Sequence, residues 1–416
     1  MYSANPFSGT AAIVGAGPAG LMAAETLGQA GLAVTIYDHM PSPGRKFMLA
    51  GRGGLNITHS ESIEEFLDKY GPQSGPLEAA LETFNPDDLR EWCAGLGEPT
   101  FVGTSGRVFP KSFRATPLLR AWLQRLENMG VAFELHHRWE GWTGAPGHEH
   151  LRFVDAAGES VEVASDVRVF ALGGASWPRV GSDGGWVDHF VARGIDVRPL
   201  RATNCGVRVD WTGVMIERFA GVPLKNVAVS VGGDSVRGDV MVTETGLEGG
   251  PIYAHSPAVR DALDRDGRCV IRFDLQPDLS YRQLLMRLSE RRRNKDSLST
   301  LLRRAGFAPP AIGLMREAMG NDLPTSDEGL ASLAKLVPVL TTSLMPIERA
   351  ISSAGGVLFD EFDESFMLHK LPGTFVTGEM LDWEAPTGGY LLQACFSTAV
   401  AAARGAVNWL RVCSQG

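Results

Sequence analysis

Residues 10–38, TAAIVGAGPAGLMAAETLGQAGLAVTIYD, decide the fold. The run reads as an apolar strand over Ala11–Val14, a glycine turn, a helix with an apolar stripe, and a second strand over Ala33–Tyr37 that ends in Asp38. Gly15, Gly17 and Gly20 stand at G-x-G-x-x-G spacing, with Pro18 and Ala19 completing the turn. The first glycine makes the tight turn, the second lets a pyrophosphate approach the backbone, and the third lets helix pack on strand. Phosphates would then sit on the helix N-terminus, and Asp38 is spaced to bind the ribose hydroxyls of an adenosine. The competing reading is a glycine turn in an unrelated βαβ unit.

NAD and FAD share this fingerprint, and residues 373–410, GTFVTGEMLDWEAPTGGYLLQACFSTAVAAARGAVNWL, choose between them. They read as a short strand (Thr374 to Thr377), then Gly378 and Glu379, a loop through Asp382, the pair Gly388 and Gly389, and a long helix from about Tyr390. An NAD domain needs no such distant return, whereas a flavin needs acidic or amide contacts for its ribityl chain. A helix N-terminus aimed at the flavin pyrimidine stabilises the negative charge that gathers there on reduction. Taken alone, the segment equally fits an ordinary strand, turn and helix closing the fold. A third fragment, SDVRVFALGGASW over residues 165–177, is β-rich and ends in Gly173 and Gly174, where a strand would return to the sheet beneath the cofactor.

Between the first two segments lies GRKFMLAGRGGLNITHSES, residues 44–62, with four glycines and three basic residues and no apolar periodicity. Neither helix nor strand accounts for it, so it is expected as a loop wrapping the cofactor. Arg45 and Lys46 would neutralise the pyrophosphate, and Gly53, Gly54 and Asn56 would let backbone and amide approach the flavin ring.

The composition excludes several classes. A chain of 416 residues with 39 basic and 48 acidic side chains, net −9, argues against wholesale binding of DNA or of an anionic membrane. The five cysteines, Cys93, Cys205, Cys269, Cys395 and Cys413, form no C-x-x-C, so a disulfide framework, a zinc ribbon and a dithiol relay are not expected. With no long apolar run and no visible export signal, the expectation is a cytoplasmic protein. His136, His137, His148 and His150 lack acidic or Cys partners at ligand spacing and are expected as surface histidines, with no metal.

Five stretches together resemble one family: IVGAGPAG, GRKFMLAGRGGLNITHS, GRVFPKSFRA from Gly106, ALGGASWPRVGSDGGW from Ala171, and TGEMLDWEAPTGGYLLQACFSTA from Thr377. The chain is similar over nearly its whole length to the BaiN-like (YhiN-like) FAD-dependent flavoproteins. That resemblance implies an α/β fold: a Rossmann-like, glutathione-reductase-like FAD-binding domain interrupted by an inserted β-barrel and a small helical unit. The expected boundaries are 1–195 and 345–416 for the discontinuous FAD domain, 196–278 for the barrel and 279–344 for the helices. Short alternating strands such as NVAVSVGG and CVIRFDL, then three- and four-residue apolar spacing from Tyr281 to Leu336, agree with the insertion. Relatives commonly carry a Cys before the Asn of the glycine-rich loop, where this chain has Leu55.

The chemistry follows from what is present. FAD takes and returns electrons while the protein orients and polarises, and without a C-x-x-C the electrons pass directly between flavin and substrate. No second G-x-G-x-x-G marks a separate nicotinamide domain, so NAD(P)H would bind transiently against the flavin face. Asn56, Arg107 and Lys111 are the candidate catalytic residues on the substrate side; Arg107 and Lys111 equally fit a surface turn before a helix. The expectation is an NAD(P)H-driven reductase of an unsaturated small molecule or of an RNA uridine. A small-amine oxidase and a non-catalytic flavin sensor or scaffold are the alternatives. The basic residues Arg291, Arg292, Arg293, Lys295, Arg303 and Arg304 either contact RNA or form a solvated helix face. Oligomeric state is not specified.

Overall fold

A computed structural model describes residues 9–51, 53–71, 75–144 and 149–414. The chain separates into two compact units, Met1–Arg201 with Ser352–Gly416, and Ala202–Ile351.

The first unit is built on a parallel sheet whose centre is strand β1 (Thr10–Val14). Helix α1 (Pro18–Gln29) follows it and leads into strand β2 (Ala33–Asp38), which pairs with β1 from Thr10 opposite Ala33 to Val14 opposite Tyr37. Strand Val167–Phe170 lies on the other side of β1, with Thr374–Val376 beyond it, and Ala132–Leu135 flanks β2; every pairing is parallel. Strands buried on both faces need continuous apolar sequence, and the runs at residues 11–14 and 167–170 are fully buried. Helix α1 and the 24-residue helix Tyr390–Cys413 cover the sheet, each with small and aliphatic residues inward. Glu25 is buried in α1 and is satisfied three ways, by Arg125 Nη1 at 2.8 Å, Trp92 Nε1 at 3.0 Å and Gln29 Nε2 at 3.2 Å. A buried carboxylate is tolerable only with such partners.

The glycine-rich stretch is not all loop. Residues Arg45–Ala50 form a short helix, α2, entered from Gly44 in a left-handed conformation (φ 68°) and leaving through Gly51. Phe47 is its anchor, 2% exposed and edge-on to Trp122 at 6.5 Å. A six-residue helix is too short to show a period, and tertiary burial of one ring holds it. After it, strand β3 (Thr58–His59) pairs with Arg107–Pro110, which in turn pairs with Thr100–Val102.

The second unit is a seven-stranded antiparallel sheet with helices packed on it. Strands Val337–Thr341 and Ser343–Leu344, one residue apart in the chain, form the two opposite ends of the strand order, pairing with Cys269–Asp274 and with Val207–Arg208, so the sheet curls back on itself. The stretch expected as strands alone also contains helices Gly213–Phe219, Gly250–Ala254 and Ser256–Asp266. The last of these starts on Ser256-Pro257 and buries Val259 and Arg260 on one face, a helical signature obscured by the strands on either side. Helices Tyr281–Arg291, Leu298–Arg304, Pro309–Met319 and Asp327–Lys335 follow, and their buried leucines join the core of this unit.

Candidate functional site

The three fingerprint glycines sit in three different environments. At Gly15 (φ 106°) a Cβ would lie 2.4 Å from the Ala171 carbonyl oxygen, and at Gly20 it would lie 1.8 Å from the Gly15 carbonyl oxygen. Both positions are closed to any side chain. Gly17 is the opposite case: nothing lies within 4 Å of the site its Cβ would take, and its backbone (φ −79°, ψ −178°) suits any residue. It caps α1 without a side-chain hydrogen bond, so the first amides of that helix face open space.

Asp38 closes the turn. Its carboxylate accepts the Ala16 amide at 2.6 Å and the Met40 amide at 2.7 Å, one on each oxygen, and the Gly15 amide donates to the Tyr37 carbonyl at 2.8 Å. Each carboxylate oxygen keeps a further lone pair for a ligand hydroxyl.

A cleft of about 260 Å³ opens in front of this turn. Gly15, Gly17, Pro18, Ala19, Asp38, Arg45, Lys46, Gly173 and Glu379 all line it, although they come from four distant segments. Lys46 Nζ donates to Glu379 Oε2 and to Ser176 Oγ, both at 2.6 Å, while Glu379 Oε1 accepts the Ser353 amide at 3.0 Å. Gly174 stands directly behind this group, since a Cβ there would meet Ser353 Oγ at 2.3 Å. Two polar atoms lining the cleft are buried without a partner, Arg45 Nε and Ser182 Oγ. Buried polar groups left unpaired by the protein are costly, and both belong to residues of the cleft wall.

A second opening is lined by Gly51, Gly53, Gly54, Arg45 and Phe113, and shares Ser42, Arg45 and Val180 with the first. Gly54 (φ 109°) is covered by the Phe113 ring, 2.9 Å from where a Cβ would sit, whereas Gly53 faces open space. Leu55 is fully buried in the core and its amide donates to the Phe113 carbonyl, so the position where relatives carry a cysteine faces inward here.

Other expected residues lie elsewhere. Asn56 donates its amide to the carbonyls of Thr58 (2.8 Å) and Val108 (3.1 Å), tying β3 to its neighbour, and lines neither opening. Arg107 begins the paired strand and Lys111 follows its end, both exposed and outside the two openings. Asp382 pairs with Arg198 at 3.2 Å, and burial raises its carboxyl above the usual range. Gly388 and Gly389 precede the long helix, and Gly389 is pressed against the Thr58 backbone, 2.5 Å from its virtual Cβ. Tyr390 starts that helix, with its hydroxyl donating to Glu61 at 2.6 Å; burial and this carboxylate push its pKa well up.

Sequence reasoning missed several cleft residues. His137, expected at the surface, is half-buried, lines the cleft and meets the Tyr37 ring edge-on at 6.0 Å. His136 and His150 are exposed, and His148 lies outside the described residues. No cluster able to hold a metal occurs among the described residues. Cys395 also lines the cleft, and burial with Glu379 nearby pushes its thiol up to about 12 despite Lys46. Thiolate is the reactive form, so iodoacetamide at pH 8 should label exposed Cys413 on the order of 100-fold faster than Cys395, as followed by peptide mass spectrometry. Equal rates would contradict the placement of Cys395.

A family model described as the HI0933-like protein Rossmann domain matches residues 9–405. The chain belongs to the HI0933-like family. Among relatives, this HI0933-like chain is 25% identical over 406 residues to the Ribosomal RNA dihydrouridine synthase of Escherichia coli (strain K12), covering 95% of this chain and 97% of that one. It is 23% identical over 413 residues to the 3-dehydro-bile acid delta(4,6)-reductase of Clostridium scindens, covering 95% and 98%. Among solved structures, 3-ketosteroid delta1-dehydrogenase from Sterolibacterium denitrificans aligns with a TM-score of 0.55 at 12% identity, over 97% of this chain and 100% of that one. At that identity the likeness is one of fold. No helix among the described residues of this HI0933-like chain is long and apolar enough to cross a membrane.

Proposed function

We propose that this HI0933-like protein is an FAD-dependent oxidoreductase, working in the cytoplasm as an NAD(P)H-driven reductase of an unsaturated acceptor. The observation that carries the reading is the open face of Gly17 at the start of α1, in one cleft with the unpartnered Arg45 Nε and Ser182 Oγ. A phosphate-bearing dinucleotide satisfies all three at once.

In this reading the Gly17 and Ala19 amides at the N-terminal end of α1 hold the pyrophosphate, with Arg45 supplying a positive charge; the Gly15 and Ala16 amides are taken by the Tyr37 carbonyl and Asp38, and Pro18 has none. Asp38 takes the ribose hydroxyls. Lys46 and Glu379 meet the polar chain between phosphate and ring, with Gly173 and Gly174 leaving room beside them. Gly53 and Gly54 give the ring its approach, and Gly388, Gly389 and Tyr390 bring the start of the long helix towards it. When bound, FAD supplies two-electron transfer at its ring. The protein then orients the acceptor, excludes water and supplies a proton. Asn56, Arg107 and Lys111 lack cleft-facing geometry, and Asp382 is engaged with Arg198. Tyr390 and Glu61 form a hydrogen-bonded pair able to hold a proton, and they too line neither opening.

The named relatives are a ribosomal RNA dihydrouridine synthase and a 3-dehydro-bile acid delta(4,6)-reductase, so an RNA and a small molecule are both candidate acceptors. An RNA acceptor has one observation in its favour: Arg291, Arg293 and Lys295 are exposed together in the second unit, although Arg292 is engaged with Asp327 and Arg304 with Asp296.

The test is to mix the FAD-loaded protein with NADH or NADPH without oxygen and follow the flavin absorbance. Bleaching within seconds, restored by adding an acceptor, is expected. A bound flavin that neither nicotinamide reduces would overturn the reductase reading in favour of a sensor or scaffold, and reoxidation by oxygen after an amine has reduced it would indicate an amine oxidase.

A further inference from the structure

Within the second unit, three arginines from three helices line one groove of about 560 Å³: Arg218 of Gly213–Phe219, Arg303 of Leu298–Arg304 and Arg316 of Pro309–Met319. Arg316 Nη2 donates to Ser299 Oγ at 2.8 Å, and Arg303 Nε donates to the Ser299 carbonyl at 3.2 Å. Two guanidinium groups are therefore fixed on one serine. Arg218 makes no hydrogen bond or ion pair among the described residues.

The one carboxylate lining this groove offsets at most one of the three positive charges. Glu317 accepts the Thr212 amide at 2.6 Å on one oxygen and the Thr212 hydroxyl at 2.8 Å on the other, holding the helix Gly213–Phe219 at its start. Each arginine stands in the last turn of its helix, where the helix dipole favours a cation. That preference accounts for a basic residue at each end but not for three of them meeting in one concavity. Like charges held together on a protein of net charge −9 are stabilised by an anion between them.

The groove also has an apolar wall. Met215 and Ile312 are buried beneath it, Phe219 packs on Gly313, and Val214 is 59% exposed at its rim. Guanidinium forks match phosphate oxygens, and an apolar wall beside them suits the flat face of a base. We propose that this groove is a nucleoside-phosphate site, separate from the cleft at Gly17 and independent of what that cleft binds. The nucleoside phosphate is either a free nucleotide or the phosphorylated end of a strand.

The test is calorimetric titration of the full chain with cytidine monophosphate, with a 5′-phosphorylated ribo-oligonucleotide and with inorganic phosphate. A pyrimidine is chosen so that an adenosine-binding cleft does not contribute. Saturable binding of the mononucleotide is expected for the free-nucleotide source, and of the oligonucleotide alone for the strand source. In either case Arg316→Gln should weaken binding at least about tenfold, and Arg218→Gln several-fold, with steep loss on raising salt. Arg218 has no internal bond to lose, so its variant keeps the fold and the melting temperature serves as the control. The proposal is overturned if neither nucleotide probe saturates, if both arginine variants bind as the parent does, or if inorganic phosphate binds as tightly as the nucleotide.

Discussion

Gly17→Asp is expected to give a folded, soluble protein that binds FAD at least about 100-fold more weakly than the parent, a loss of roughly 2.7 kcal/mol. The backbone at this position is extended, and no atom lies within 4 Å of the new Cβ, so the substitution adds no strain. Aspartate is also a preferred helix N-cap, and Gly17 caps α1 with no side-chain bond of its own, so stability without ligand should be unchanged or raised by up to about 1 kcal/mol. What the new carboxylate does is occupy, with a negative charge, the space the pyrophosphate needs. Thermal melting without ligand and titration with FAD separate the two effects. Unaltered FAD affinity would place the cofactor elsewhere.

Three residues on, Gly20→Ala should produce the reverse pattern, loss of fold before any question of binding arises. The added methyl would sit 1.8 Å from the Gly15 carbonyl oxygen and 3.4 Å from the Ala171 side chain, between α1 and the two central strands. Backbone is the obstacle, so no rotamer change relieves it. Overpacking of this kind costs about 3 kcal/mol or more, which at this size lowers the melting temperature by at least about 3–5 °C. The measurement is the melting temperature, or recovery of soluble protein if the variant does not fold. A parental melting temperature would contradict the close approach of helix to turn.

This contrast explains how much could be read from the chain. Gly15, Gly17, Gly20 and Asp38 were legible because turn, cap, packing contact and strand end all fall within one strand–helix–strand unit, residues 10–38. The parallel sheet was legible in the same way, from the buried runs at 11–14 and 167–170. The arrangement around Lys46 was not. Its partner Glu379 lies 333 positions away, Ser353 belongs to no motif, and Ser176 lies in a motif read only for its glycines. Arg45–Ala50 hid its helix because one buried ring, Phe47, stabilises it rather than a periodic face. His137 was expected at the surface because it has no acidic or Cys partner at ligand spacing, yet in the turn between two strands its ring meets Tyr37 edge-on. Asn56 was singled out for its place beside glycines, yet its amide joins two short strands.

The central claim is that the cleft before α1 holds FAD, and the most direct measurement is the cofactor content of the purified protein. The absorption spectrum and chromatography of the released ligand should show a flavin spectrum and about one FAD per chain, retained by the parent and lost from Gly17→Asp. A colourless protein that takes up no FAD on reconstitution, or a flavin held equally well by parent and variant, would contradict the account.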